Sequence, residues 1–301
     1  MSLNGGCHYR VVADDDHRAT VAMWLATRFR HSSLAEWQRR CHDGEVSVDG
    51  QAAAADSPLR REAVIVWVRP PWDEPEVPLH YRICHEDDDV VVVDKPSGLP
   101  TMPAGGFFEH TLLHLLRRQW PSAAPVHRLG RYTSGLVVVA RTPDAGARLS
   151  AAWQRHEVDK EYTAVAQGTP TFDAIDVTAP IGPMPHGRLG AVHAALPTGR
   201  PAHSHVDVIR RHAACCECRV RITTGRPHQI RIHLAVLGHP LVGDPLYRTG
   251  GVISPTATAL PGDGGYMLHA TRVAFSHLAS GDRCEVTSPR PEEWTAMIGH
   301  A

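Results

Sequence analysis

Four stretches of the 301-residue chain combine turn-forming residues with polar side chains densely enough to build a reactive site. They are VDKPSGLP (93–100), PVHRLGRYTSGLVVVAR (125–141), DKEYTAVAQG (159–168) and TTGRPHQIRIHLAVLGHPLVGDPLY (223–247). Their charged members are largely cationic, with Arg128, Arg131, Arg226 and Arg231 offering planar guanidinium forks suited to phosphate or carboxylate. Tyr162 and His228 add groups that can hold or pass a proton. The chain has no glycine-rich phosphate loop, no HExxH and no GxSxG. TSGLV (133–137) places a serine before a glycine but lacks the nucleophile-elbow context. Phosphate-loop, zincin and elbow-serine chemistry are therefore excluded.

Such stretches need a scaffold. DVVVVDKP (89–96), GLVVVART (135–142), EYTAVAQG (161–168), SHVDVIRR (204–211), ECRVRIT (217–223) and TRVAFSH (271–277) read as strands. EHTLLHLLRRQW (109–120), DAGARLSAAWQRH (144–156) and HQIRIHLAVLG (228–238) read as helices. Strand runs interrupted by helices, without regular β–α alternation, predict an α+β fold. Upstream, residues 18–37 predict one or two short helices, with Val21, Trp24, Leu25 and Phe29 at helical spacing. Short strands are expected at Glu45–Asp49 and Ala63–Val68. RPPWDEPEVP (69–78) reads as a linker, because proline-rich chain extends and cannot join a sheet interior. The expected boundaries are a small α+β module over 1–70, a linker over 71–78 and a larger domain over 79–301. Residues 180–203 read as an exposed loop or loose hairpin, and 249–265 as a mobile loop.

Composition narrows the partners. Of 31 basic residues only Lys95 and Lys160 are lysines, leaving 29 arginines. Much of that skew is coding bias; the rest is consistent with phosphate recognition. Formal net charge is −1, yet Arg117, Arg118, Arg128, Arg131, Arg141, Arg148 and Arg155 face one acid, Asp144, over that span. Separated signs of this kind can still hold a polyanion. The seven cysteines are an odd count and predict reduced thiols. CCEC (215–218) is the one metal-like hint; lacking a second pair, it reads as buried thiols on a strand, with a Cys/His metal module over 212–218 as the alternative. No apolar run of membrane-spanning length occurs. The opening MSLNGGCHYRVVADDDHR lacks an apolar signal core, so neither a secretory nor a transit peptide is expected and the default address is the cytoplasm.

Taken in order, VDKPSGLP, VHRLGRYTSGL, DKEYTA, TGRPHQIRIHL and GHPLVGDPLY resemble the motifs of the RluA-type RNA pseudouridine synthases over roughly residues 79–278. GRPAHSHVDV (199–208) and MLHATRVAF (267–275) match weaker family patterns. The first 70 residues loosely resemble the small RNA-binding module of a ribosomal protein and many RNA-modifying enzymes, through a helix pair and GEVSVDGQ. The resemblance implies a mixed, mainly antiparallel sheet flanked by helices and a cofactor-free reaction. In it the N1–C1′ bond of a uridine in structured rRNA or tRNA is cut, the uracil turns, and C5 is rejoined to C1′.

Residue by residue, the resemblance gives Arg128 the task of extruding the target nucleotide. Tyr162 takes the tyrosine that packs on uracil, and Arg231 the arginine that pairs with the catalytic aspartate. Arg117, Arg118, Arg131, Arg226 and His228 complete the expected RNA-contacting set, while Lys95 and Lys160 are expected to be structural or RNA-proximal. No metal, no small-molecule cofactor and no membrane partner is expected, and the chain is expected to be a monomer.

One position departs from the pattern. Where the family carries its essential aspartate this chain has Gly130, and residues 121–141 contain no Asp or Glu. Three carboxylates belong to neighbouring stretches and could replace it, Asp94, Asp144 and Asp244. The alternative is a catalytically inactive RNA-binding relative, serving as an RNA chaperone or assembly factor. Without a substitute, Arg231 is expected to face an unpaired position.

Overall fold

The computed structural model describes residues 3–14, 19–29, 31–186, 190–253 and 262–299. The chain divides into two compact units, Met1–Glu74 and Pro75–Ala301.

The first unit contains β1 (Cys7–Val12), α1 (Val21–Arg28), α2 (Leu34–His42), β2 (Val46–Val48), β3 (Gln51–Ala52) and β4 (Val64–Arg69). Thr20 caps α1, and Ser33 with Glu36 forms a reciprocal capping box on α2, satisfying amides that have no partner within the helix. The helices close over the antiparallel sheet β1-β4-β2-β3 through Trp24, Leu25, Trp37, Ile65 and Trp67. The strand β1 escapes a reading of periodicity because its burial is irregular along CHYRVV. Arg69 ends β4, residues 70–78 form no helix or strand, and the start of this proline-rich segment is docked: the Trp72 amide donates to Asn4 Oδ1 and the Arg69 guanidinium lies 3.4 Å from the Trp72 ring centroid.

The second unit runs β5 (Arg82–Glu86), β6 (Val90–Lys95), α3 (Leu112–Gln119), β7 (Ala124–Pro125), β8 (Ser134–Ala140), α4 (Pro143–Gln154) and β9 (Asp159–Gln167). It continues with β10 (Ala174–Val177), β11 (Ile181–His186), β12 (Gly190–Ala195), β13 (Ser204–Arg211), β14 (Cys215–Ile222) and α5 (Gln229–Val236). The last elements are β15 (Tyr247–Arg248), β16 (Val252–Ile253), β17 (Leu268–Ser276), β18 (Arg283–Thr287) and α6 (Glu293–Gly299). Its main sheet has the order β10-β13-β14-β9-β17-β8-β6-β5, with β18 on β17 and β7 on β8. The β17–β8 pairing is parallel and the others are antiparallel, so the fold is α+β with a mixed, mainly antiparallel sheet.

The central strands are buried on both faces, which is why they read as continuous apolar runs. Val137 and Val139 of β8 join Val91 and Val93 of β6 on one face, beneath α3 and α5; Leu136, Val138 and Ala140 face α4 on the other. At the start of β8, Gly135 has φ +104°, and a Cβ there would stand 2.4 Å from the Ala270 carbonyl oxygen. Only glycine allows this close parallel approach to β17.

Of the exposed loop or loose hairpin expected over 180–203, the hairpin is found: Ile181–His186 pairs with Gly190–Ala195 as β11–β12, and it is packed rather than exposed, because Ile181, Val192 and Ala194 are buried with Ile232, Leu246 and Tyr247. Three arginines of the basic 117–155 span have partners within the unit. Arg141 binds the Asp87 carbonyl and Glu86, Arg148 the Leu278 carbonyl and Asp144, and Arg155 pairs with Glu157. The expectation of a mobile loop at 249–265 falls largely on residues 254–261, outside the described residues.

Candidate active site

The turn at 129–133 is fixed by the loop that follows β6. Lys95, completely buried, donates to three carbonyl oxygens, those of Pro96, Leu99 and Arg131, at 2.9, 2.8 and 3.0 Å. Burial pulls its pKa down to about 7. Gly98 N donates to the Arg131 carbonyl, Arg131 Nε returns a bond to the Gly98 carbonyl, and Thr101 Oγ1 donates to the Leu129 carbonyl. The words VDKPSGLP and HRLGRYT thus interlock, and Gly130 lies exposed at the apex of the turn they define.

The second wall is α5, whose first turn is unconventional. Its N-terminal residue His228 is left-handed at φ 56°, with no side-chain cap. Gln229 performs the capping from inside: its Oε1 accepts from Thr224 Oγ1 and Arg226 N, and its Nε2 donates to the His203 carbonyl and Ser204 Oγ. His233 bonds Ser204 Oγ and the Ala179 carbonyl. Buried polar side chains thereby replace ordinary apolar packing on this helix, each satisfied at low dielectric.

Arg231 has a partner, contrary to the expectation of an unpaired cation. Its Nε and Nη2 bond Asp244 Oδ2 and Oδ1 at 2.7 and 2.8 Å, both side chains being almost wholly buried. Asp244 Oδ1 also accepts from the Leu246 and Tyr247 amides. Burial opposes the charge on Arg231, but the Asp244 bonds more than restore it and its pKa is raised. The other two candidate carboxylates lie elsewhere. Asp94 bonds Arg82 and Ser288, and Asp144 is exposed on α4 beside Arg148.

Between these walls is a cavity of about 140 Å³ lined by Arg128, Gly130, Thr133, Tyr162, Arg226, His228, Arg231 and Tyr266, with apolar Leu129, Ile222, Ile230 and Leu268. It therefore brings together all three residues expected to be catalytic, Gly130, Tyr162 and Arg231, and three of the expected RNA contacts. Its polar groups are three guanidiniums, hydroxyls, an imidazole and the Gln229 amide, and no Asp or Glu is among its lining residues. Burial pushes the Tyr162 phenol up to about 12, so it is a neutral donor. Burial, and then the charge of Arg231, push His228 down to about 3, leaving a neutral ring that bonds Tyr247 Oη. Arg128 is exposed at the mouth.

Arg117 and Arg118 sit outside this cavity on the exposed face of α3, Arg117 donating to the Ala123 carbonyl. Arg131 faces away, its guanidinium over the rings of Phe107 and Tyr132. Tyr266, which immediately precedes the word MLHATRVAF, was not singled out from the sequence. It also lines a second cavity of about 320 Å³ with Arg82, Asp94, Ser134, His269 and Trp294. Cys215, Cys216 and Cys218 are buried on β14 among core side chains. Among the described residues no group of three or more His, Cys, Asp or Glu is placed to hold a metal ion. No described helix is long and apolar enough to cross a membrane.

The mixed sheet carries this small cavity, walled by interlocked loops and α5 and lined by three arginines, a cationic lining suited to a nucleic-acid partner. Comparison with known proteins agrees. Residues 89–236 match the family profile described as RNA pseudouridylate synthase. An uncharacterized RNA pseudouridine synthase of Synechocystis sp. is 41% identical over 272 residues, covering 90% of this chain and 94% of that protein. The ribosomal large subunit pseudouridine synthase D of Vibrio parahaemolyticus is 33% identical, covering 91% and 87%. The solved structure of human RNA pseudouridylate synthase domain containing 1 superposes with a TM-score of 0.56 at 24% identity, covering 73% of this chain and 87% of that one, a likeness of fold. The chain belongs to the RluA-type RNA pseudouridine synthase family.

Proposed function

We propose that this chain isomerises a uridine of a structured RNA, rRNA or tRNA, to pseudouridine in the cavity between the 129–133 turn and α5, without a cofactor. The observation that carries this reading is the convergence of Arg128, Tyr162 and Arg231 on one base-sized cavity. The target uridine must leave its stack to be reached, and an exposed Arg128 at the mouth is suited to hold the distorted backbone or fill the gap left behind. Tyr162 offers the uracil a ring face and a neutral hydroxyl. Arg231, held charged by Asp244, supplies a fixed positive end for charge that develops as N1–C1′ breaks. Arg117, Arg118, Arg131, Arg226 and His228, together with the first unit, are assigned to contacts with the surrounding RNA, the chain acting as a monomer in the cytoplasm.

One observation favours a second reading, that of an RNA-binding relative without turnover: the cavity lining holds no carboxylate. Loss of a nucleophile from an otherwise intact site costs on the order of 10⁴-fold or more in rate. One experiment separates the two. The protein and its Gly130→Asp variant are incubated with total RNA from a strain lacking the gene, and pseudouridine is mapped. Product from the unaltered protein is expected. Product from the Gly130→Asp variant alone would establish the binding-only reading, and an absence of both product and RNA binding would remove both.

A further inference from the structure

The residue that replaces the family's carboxylate can be sought in the same cavity, and this inference rests on the isomerase reading above. Gly130 is not required by backbone conformation, since its φ lies outside the left-handed region that Gly135 occupies. A neighbour crowds a side chain there. A Cβ on Gly130 would stand 2.9 Å from Tyr266 Oη and 3.4 Å from Thr133 Oγ1. The Tyr266 phenol therefore fills the space into which a longer residue at 130 would project.

That phenol is held by two contacts. Its oxygen lies 3.3 Å from Thr133 Oγ1, and the Arg231 guanidinium lies 4.2 Å from the ring centroid. The ring is buried yet lines the cavity beside Tyr162. Arg231 is already neutralised by a bidentate, fully buried Asp244, and a phenol enters beside it uncharged.

We infer that Tyr266 is the nucleophilic residue of this cleft, its phenol oxygen standing where the family's carboxylate stands and Gly130 providing the room for it. Tyrosine is a competent nucleophile at an anomeric carbon, as in sialidases. The reaction closes without a co-reactant. As the N1–C1′ bond breaks with its electron pair going to uracil, Tyr266 gives its proton to uracil O2 and its oxygen bonds to C1′. The uracil turns, C5 attacks C1′, the Oη–C1′ pair returns to tyrosine, and the proton leaving C5 ends on the phenolate. Burial keeps the resting phenol protonated, in the form this first step requires.

The test uses total RNA from a strain lacking the gene, with the unaltered protein, Tyr266→Phe and Asp263→Asn, the last removing the carboxylate nearest to Tyr266 in sequence. Pseudouridine formation is timed and RNA affinity is measured by filter binding. In parallel, the unaltered protein is incubated with transcripts carrying 5-fluorouridine, which has no C5 proton to lose, and any covalent adduct is mapped by mass spectrometry. The expected result is at least a 100-fold loss of rate in Tyr266→Phe at unchanged affinity, Asp263→Asn within threefold of the unaltered protein, and an adduct on Tyr266. A Tyr266→Phe rate within threefold of the unaltered protein, or an adduct on Asp263, overturns the assignment while leaving the isomerase reading intact. RNA binding without product from the unaltered protein overturns both and establishes the binding-only reading.

Discussion

At the scale of single residues, the two lysines of an arginine-rich chain take on meaning. Both fall inside motif words, and Lys95 is where three carbonyl oxygens converge on one point, a geometry that suits an ammonium and that a planar guanidinium cannot reproduce. Lys95→Met, which keeps the stem and removes the donors, strips the Pro96 and Leu99 carbonyls of this partner and leaves the Arg131 carbonyl only the Gly98 amide. It is expected to cost about 2–4 kcal/mol in urea unfolding, with a loss of activity, because the Arg131 carbonyl anchors the turn that carries Gly130. No such cage surrounds Lys160, where burial lowers the pKa. Arg231 illustrates the limit of a local reading. Its partner is thirteen residues away in GDPLY, a word visible in the sequence whose carboxylate was one of three equal candidates, and only folding the 237–246 segment back under α5 selects it.

Elements were legible where burial follows a period and illegible where it does not. The runs VVVV of β6 and LVVV of β8 announce two-sided burial, and TVAMWLA and TLLHLL announce helices, which the structure caps with Thr20 and Thr111. By contrast, β11–β12 is a hairpin of Pro, Gly and His whose burial comes from packing on α5 and Tyr247, so its own composition leaves loop and hairpin undecided. The parallel contact of β8 with β17 is likewise a tertiary fact, recorded in sequence only as the glycine of TSG. Gly135→Ala is expected to destabilise by at least 3 kcal/mol, since its Cβ meets backbone that cannot give. Gly146→Ala, in the interior of α4 where the new Cβ meets only Ala140 Cβ at an ordinary 3.6 Å, is expected to stabilise by about 0.5–1 kcal/mol. Equilibrium unfolding of the pair checks both signs.

Across the whole molecule, two half-buried imidazoles contribute to the response to acid. Burial, with Lys160 nearby, lowers His127 to about 3, and its Nε2 accepts from the Val138 amide on β8; His228 is lowered to about 3 as well. In the unfolded chain each ring titrates near about 6.5. Between about 3 and 6.5 the unfolded state therefore holds protons that the folded state refuses. This contribution to stability is full above about 6.5 and falls as pH drops, by at most about 1.4 kcal/mol per pH unit for each ring. Urea midpoints are expected to fall steadily from pH 6.5 to pH 5, and His127→Gln, which keeps an acceptor for Val138 N without a titrating ring, is expected to flatten that slope. An unchanged slope would place the acid sensitivity elsewhere.

The sequence by itself determined the fold class, the strand and helix runs of the second unit, the family motifs and the absence of an acid at position 130, because these depend on local period, turn chemistry and residue identity. Tertiary structure alone decided what surrounds that absence. It paired Arg231 with Asp244, tied Asp94 to Arg82 and Ser288 and left Asp144 exposed on α4. It also brought Tyr266, from β17's approach, to within bonding distance of Thr133, 133 residues earlier in the chain. Spacing along a chain says which groups exist; which of them share a few cubic ångströms is fixed only when the strands that carry them become neighbours.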